Sequence, residues 1–350
     1  MDRLILYCRA GFEASCADEI MAMAGSSGIP GKVATGEGFV TFFPVGEKPV
    51  EVLARLNFRD MVFVRQWLVT GPALTGLPAT DRVGPIMARV TALGVAVGKV
   101  WVETPDTNSG RVLSPLCQSL TRFLDKRLQA EGLLDPGASW QLHLFFLDTA
   151  TVHVGLTPST NGSVFHMGIP RLKMQREAPS RAALKLEEAM GHFLTPQDRQ
   201  KRLRPGLLAV DLGAAPGGWS WYLLRQGLRV TAVDNANLAA GLLAGGQVRH
   251  VRTDAWRFVP PKPVAWMVCD IVDKPTRVAE LVILWGRQRW CRETIFNLKL
   301  PMKKRFAALQ HCQDMIHGAL EQAGLAHDLR CKQLYHDREE ITAHLHFHRE

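Results

Sequence analysis

At the end of an apolar run over residues 207–212, the chain reads Asp211-Leu212-Gly213-Ala214-Ala215-Pro216-Gly217-Gly218-Trp219. Glycines at such a place let the backbone turn tightly and approach a ligand with no Cβ in the way. A loop of this kind, leaving a strand and opening a helix, is a nucleotide-type cradle. It departs from the dinucleotide pattern GxGxxG, because Gly213 is followed by Ala-Ala-Pro and the next glycines are adjacent. Pro216 also removes an amide that a pyrophosphate would use. These departures disfavour NAD and favour a cofactor ending in a zwitterionic amino-acid tail. Asp234 ends the next apolar run, 229–233, and is placed to accept hydrogen bonds from ribose hydroxyls. Asp254 follows 248–253 and could receive an adenine amino group, although capping its own following turn explains it equally well.

Further chemistry-bearing residues fall at strand ends, where a parallel sheet gathers its ligands. Asp270 follows the run 265–269, and Lys299 follows 294–298. A lysine closing an apolar strand is out of place unless it serves a site. Lys185 lies on the helix 182–193, ahead of the first of these strands, and Ser180 is placed to cap that helix. Glu339 and Glu340 open the last strand-like run, 341–347. His344, His346 and His348 alternate along it, but few acids lie nearby, so solvent-facing side chains are expected rather than a metal site.

The short, almost wholly apolar runs at 207–212, 229–233, 265–269 and 294–298 read as strands buried on both faces. With helices between them they predict a doubly wound α/β sheet, Rossmann-like, over residues 169–350. The first half alternates short strands (4–9, 38–44, 61–70, 99–103, 140–147, 151–156) with helices (12–24, 50–58, 85–93, 114–129). It has no glycine-rich nucleotide loop and reads as α+β, divided at about residue 60 into units 1–59 and 60–168. The polar stretch 157–168 marks the boundary to the last domain.

Lys and Arg outnumber Asp and Glu by 42 to 33, a formal charge of +9, which suits a polyanionic partner. Three basic groups are expected around the cleft: Lys303-Lys304-Arg305; Arg171, Lys173, Arg176 and Arg181; and Arg199, Lys201, Arg202 and Arg204. No run approaches the roughly 20 apolar residues of a membrane helix, and 4–8 is too short for a signal-peptide core. The seven cysteines are scattered and never spaced CxxC. They read as reduced thiols of a cytoplasmic protein without a cysteine zinc site.

The loop Asp211–Trp219 closely resembles the cofactor loop of the FtsJ-like 2′-O-ribose methyltransferases. The chain is more similar still to the RlmM family, which methylates a cytidine ribose of large-subunit ribosomal RNA. Matching stretches include Cys8-Arg9-Ala10-Gly11-Phe12-Glu13, Met167–Lys173, Pro179-Ser180-Arg181, Lys185-Leu186-Glu187-Glu188, Asn297–Lys304 and Tyr335–Glu340. The resemblance implies a ferredoxin-like unit and an RNA-binding THUMP module in the first half. It implies S-adenosylmethionine as cofactor, held by Ser180, Asp211, Gly213, Ala215, Pro216, Gly217 and Gly218 together with Asp234, Asp254 and Asp270, and no metal. It implies a Lys-Asp-Lys-Glu tetrad of Lys185, Asp270, Lys299 and a glutamate, with Lys299 as base. Glu340 sits where the family pattern prefers, whereas Glu339 shares the parity of Ile341 and Ala343. Ribosomal RNA, naked or in an early precursor particle, is the implied partner of a monomer. The rivals are a non-catalytic RNA-binding protein on a Rossmann scaffold, a methyltransferase for another RNA, and a small-molecule methyltransferase.

Methyl transfer from a sulfonium to a hydroxyl needs neither metal nor covalent intermediate, because the leaving group is already good. The alcohol is a poor nucleophile until its proton is leaving, so a base must be held within hydrogen-bond reach. A lysine can be that base only if desolvation or a neighbouring positive charge lowers its ordinary pKa of ~10.4.

Overall fold

The computed structural model describes residues 1–348, which fall into two compact units, one ending at Pro170 and the other beginning at Arg171. The first contains β1 (Arg3–Tyr7), α1 (Glu13–Ser26), β2 (Gly31–Gly36), β3 (Phe39–Pro44), α2 (Pro49–Arg55), β4 (Gln66–Thr70), α3 (Val83–Thr91), β5 (Lys99–Glu103), α4 (Asn108–Val112), α5 (Ser114–Ala130), β6 (Trp140–Phe146) and β7 (Val152–Pro158). Its seven strands form one sheet in the order β2-β3-β1-β4-β7-β6-β5, antiparallel except for the β5–β6 pair. Alternate residues of β1 and β4 are buried together with Phe145, whose ring stacks on Tyr7 at 4.3 Å.

Two readings of this half need correcting. The glycine-bearing, largely exposed strand β2 carries too few apolar residues to be seen in the sequence. The strand expected over 61–70 is only five residues long. The buried Glu19 carboxylate accepts the amides of Val62 and Phe63, so those residues pair with a side chain and not with a neighbouring strand.

The second unit contains α6 (Ala182–Phe193), α7 (Pro196–Arg202), β8 (Leu208–Leu212), α8 (Gly218–Arg225), β9 (Arg229–Val233), α9 (Ala240–Leu243), β10 (Val248–Val251), β11 (Val264–Cys269), α10 (Pro275–Arg287), β12 (Cys291–Lys299), α11 (Arg305–Gln322), β13 (His327–Lys332) and β14 (Glu340–Phe347). The sheet runs β10-β9-β8-β11-β12-β14-β13. The first five strands are parallel, and β14 lies antiparallel between β12 and β13. The chain order reverses between β8 and β11, the switch point at which open α/β sheets bind ligands beyond their C-terminal strand ends. Trp266, Val268 and Ile295 are buried with Leu186, Met190 and Phe193 of α6, so that helix is fixed on the sheet beside the switch point.

β14 is an interior strand, which overturns the expectation of a solvent-facing side chain for His344 and in part for His346, while His348 beyond the strand is exposed. His344 is 1% exposed, and its Nε2 lies 3.0 Å from the buried Glu293 carboxylate. Ser180 does not cap α6 either. Arg181 occupies that position, and the buried Ser180 Oγ has no hydrogen-bond partner.

Candidate active site

The glycine loop turns at the end of β8. Gly213 has φ +74°, and a Cβ there would stand 2.8 Å from Ile271 Cγ1, so the close pass to the β11 end requires glycine. Gly217 begins α8, and a Cβ on Gly218 would lie 2.4 Å from Ser180 Oγ. Three of the loop amides are already committed within the protein. Gly213 N and Ala214 N donate to Val233 O at 2.9 and 3.3 Å, and Ala215 N donates to Asp234 Oδ2 at 2.9 Å. A pyrophosphate would find them occupied.

Asp234 also accepts Ala236 N at 2.8 Å on its other oxygen, so it locks the loop to the end of β9. Asp211 is buried and accepts Ser220 Oγ at 2.7 Å, which ties β8 to α8. Burial pushes its carboxyl up to about 7, with Asp270 and Asp234 adding to the rise against the Ser220 hydrogen bond. Asp254 is exposed and accepts Trp256 N at 3.0 Å, the local turn role open to it from the sequence.

Four more predicted residues meet at the C-terminal ends of β11 and β12. Lys299 Nζ donates to Asp270 Oδ1 at 2.7 Å and lies 3.6 Å from Glu340 Oε1. Lys185 Nζ donates to Glu340 Oε1 and stands 3.7 Å from Asp270 Oδ2. Strand register brings Lys299 and Glu340 together, since they are direct cross-strand partners. Glu339 points elsewhere and pairs with Arg305 at 2.5 Å. Burial works against the Lys185 ammonium, but Asp270 and Glu340 outweigh it and raise its pKa. Burial likewise opposes the Glu340 charge, and the two lysines more than offset it. Two ammoniums therefore face two carboxylates in a half-buried cluster. Lys185 takes up part of the carboxylate charge that would otherwise fall on Lys299.

The sequence reading missed what holds this cluster. Asn297 Nδ2 donates to Asp270 Oδ1 at 2.8 Å, and Thr342 Oγ1 lies 2.8 Å from Asn297 Oδ1. Asn297 shares the parity of Lys299, and Thr342 that of Glu340, so polar residues two places from each site residue were the available signal. Glu188 on α6 is 6% exposed and accepts the amides of Tyr335 and His336 at 2.7 and 2.9 Å. It thereby fixes the turn that leads into β14.

The basic groups divide. Lys303 and Lys304 are exposed just beyond Lys299, and Lys173, Arg176 and Arg181 are exposed ahead of α6. Lys201, Arg202 and Arg204 do not surround this site. With Arg292, Glu293 and His346 they line a cavity of about 440 Å³ at the N-terminal ends of β8, β11 and β12. That is the opposite end of the sheet, because α7 precedes β8 and lies where that strand begins. Among the described residues no cluster of three or more His, Cys, Asp or Glu side chains could hold a metal ion.

Comparison with known proteins agrees with this geometry. Residues 1–68 match the RlmM ferredoxin-like domain, 81–158 the N-terminal domain of ribosomal RNA large subunit methyltransferase M, and 178–281 the FtsJ-like methyltransferase domain. The ribosomal RNA large subunit methyltransferase M of Cellvibrio japonicus is 47% identical over 99% of both chains. The chain belongs to the ribosomal RNA large subunit methyltransferase M family. Relatives of the same name from Saccharophagus degradans and Proteus mirabilis are 44% and 43% identical, covering 98% and 99% of this chain and 99% and 96% of theirs. The second unit thus contains an FtsJ-like methyltransferase domain matched over residues 178–281, and the chain is an enzyme whose methyl donor is S-adenosylmethionine. The cradle fits that donor. Three of its amides are engaged within the protein, and among the described residues the buried Ser180 Oγ beside Gly218 has no hydrogen-bond partner, a polar group left for a ligand to satisfy.

Proposed function

We propose that this chain transfers a methyl group from S-adenosylmethionine to the 2′-hydroxyl of a cytidine in large-subunit ribosomal RNA, with Lys299 as general base. The observation that carries this reading is the meeting of Lys185, Asp270, Lys299 and Glu340 beside the cofactor cradle. When bound, the cofactor supplies an electrophilic methyl group on a sulfonium. Asp234 would hold its ribose, Asp254 its adenine, and Gly213, Ala215, Pro216, Gly217 and Gly218 of the loop, with Asp211, Asp270 and Ser180, the rest of it. Lys299 Nζ would accept the 2′-hydroxyl proton, so that the oxygen can take the methyl group the cofactor would supply. Asp270 and Glu340 orient the two lysines, and Lys185 shares the charge of those carboxylates with Lys299.

The first half is read as a ferredoxin-like unit, 1–59, and a THUMP-like RNA-binding unit, 60–168, ahead of the methyltransferase domain, 169–350. The exposed Lys303 and Lys304 give RNA phosphates a place beside the site. The protein acts as a cytoplasmic monomer on free RNA or an early precursor particle. Among the described residues no helix is long and apolar enough to cross a membrane.

The test is transfer of labelled methyl to ribosomal RNA from cells lacking the enzyme, offered as free RNA and as assembled subunits. Nucleoside mass analysis should find 2′-O-methylcytidine, formed on the free RNA. A methyl group on a base would overturn the lysine mechanism, and transfer only to assembled subunits would overturn the substrate form.

A further inference from the structure

Behind the tetrad lies a hydrogen-bond chain whose protons can be counted. Asn297, Thr342 and Asp337 are 0%, 0% and 1% exposed, so bulk solvent does not reach them. Asn297 must turn its Nδ2 toward Asp270 Oδ1, because the reversed amide would set two bare oxygens 2.8 Å apart. Asn297 Oδ1 therefore faces Thr342 Oγ1 at 2.8 Å as an acceptor, and the hydroxyl donates to it. Thr342 Oγ1 also lies 3.1 and 2.9 Å from the two Asp337 carboxyl oxygens. A hydroxyl carries one hydrogen, and that one is already directed at Asn297. If Asp337 were ionised, its contact with Thr342 would be a buried oxygen–oxygen approach with no proton between. Asp337 Oδ2 accepts Leu334 N at 3.0 Å, which leaves Oδ1 to hold a proton.

We propose that Asp337 is a positioning residue that stays a neutral carboxylic acid and, through Thr342 and Asn297, fixes the orientation of Asp270 toward Lys299. The surroundings act in the same direction. Burial raises the Asp337 pKa well above the carboxylate range, and Glu340 and Glu188 add to it, against the Leu334 amide and Lys185. The chain matters for catalysis because Asp270 Oδ1 accepts from both Asn297 and Lys299. Donation from Asn297 withdraws part of the oxygen's charge from the Lys299 ammonium, which is also faced by Glu340 and has Lys185 across the same carboxylates. Once the chain is broken, Asn297 Oδ1 loses its donor, its hold on Asp270 loosens, and more of the Asp270 charge falls on the Lys299 ammonium.

The role rests on Lys299 being the base, whereas the proton assignment does not. Single-turnover methyl transfer to ribosomal RNA, followed against pH, tests the role. Thr342→Val and Asp337→Ala should move the rising limb of the profile to higher pH and slow transfer at neutral pH roughly 10-fold, the effect of one pH unit. Asp337→Asn keeps a donor toward Thr342 and should rescue both rate and limb. Asp337→Asn as impaired as Asp337→Ala, or all three profiles coinciding with wild type, would overturn the proposal. Infrared difference spectra of wild type against Asp337→Asn read the proton without turnover. They should show a protonated carboxyl band at neutral pH, and its absence would overturn the assignment whether or not Lys299 is the base.

Discussion

Strands β12 and β14 carry a charged cluster at each end, and the two are built for different work. At one end, the cross-strand partners Lys299 and Glu340 are joined by Lys185 and Asp270. At the other, the cross-strand partners Glu293 and His346 are joined by His344 and Arg202, whose Nη1 lies 3.3 Å from Glu293. Lys299 and Glu293 share one face of β12, six residues or roughly 20 Å apart. The first cluster lies where parallel strands end and a glycine loop opens beside them. Its ammonium side chains remain 16% and 21% exposed, open to a substrate. In the second, one buried carboxylate (5% exposed) is shared among a guanidinium and two imidazoles. Burial holds the His344 pKa down despite Glu293. Charge in a cavity therefore marks neither cluster as catalytic; position relative to the strand ends does.

Breaking the first cluster should cost activity. Asp270→Ala removes the acceptor shared by Lys299, Lys185 and Asn297 and should lower the single-turnover rate by roughly 10²–10³-fold, within the range of positioned acid–base groups. Glu340→Gln keeps the shape and removes one charge. A smaller loss, on the order of 10-fold, is expected, with S-adenosylmethionine affinity preserved in calorimetric titration.

Breaking the second cluster should cost only stability. Glu293→Gln leaves Arg202 and His344 without their buried carboxylate. It should lower unfolding free energy by about 1–3 kcal/mol in urea titration, with turnover per folded molecule unchanged. A turnover loss comparable to that of Asp270→Ala would erase the distinction between the two ends.

The Asp211 site gives a pH effect of known sign. Its folded pKa, up to about 7, exceeds the ordinary 3.8, so the folded state binds the proton more tightly. The stability it contributes is complete below about pH 4 and is lost as pH rises through about 7. Asp211→Asn keeps an acceptor for Ser220 and cannot ionise. The gap in unfolding free energy between the variant and wild type should therefore widen in the variant's favour between pH 5 and 8 by on the order of a few kcal/mol. The smallest effect is expected from Lys303→Ala, which should reduce the salt slope of RNA binding by about one.

The active end was legible in the sequence because its residues are punctuation. Asp270 and Lys299 close apolar runs, and glycines mark the loop between Asp211 and Trp219. The family pattern prefers Glu340 although Glu339 shares the parity of Ile341 and Ala343, and the ladder sets Glu340 directly across from Lys299. What stayed hidden depends on tertiary pairing. Nothing local distinguishes Asp337 from a surface aspartate. Glu19 takes the amides of Val62 and Phe63 from 43 residues away or more. Arg202 is expected around the cleft, and β8 places it at the far end of the sheet.

The central claim is that Lys299 removes the ribose proton, and its substitution tests that most directly. Single-turnover methyl transfer by Lys299→Ala should fall by ~10³-fold or more while calorimetric titration gives S-adenosylmethionine affinity close to wild type. Near-wild-type transfer by that variant, with the methyl group on ribose, would contradict the account.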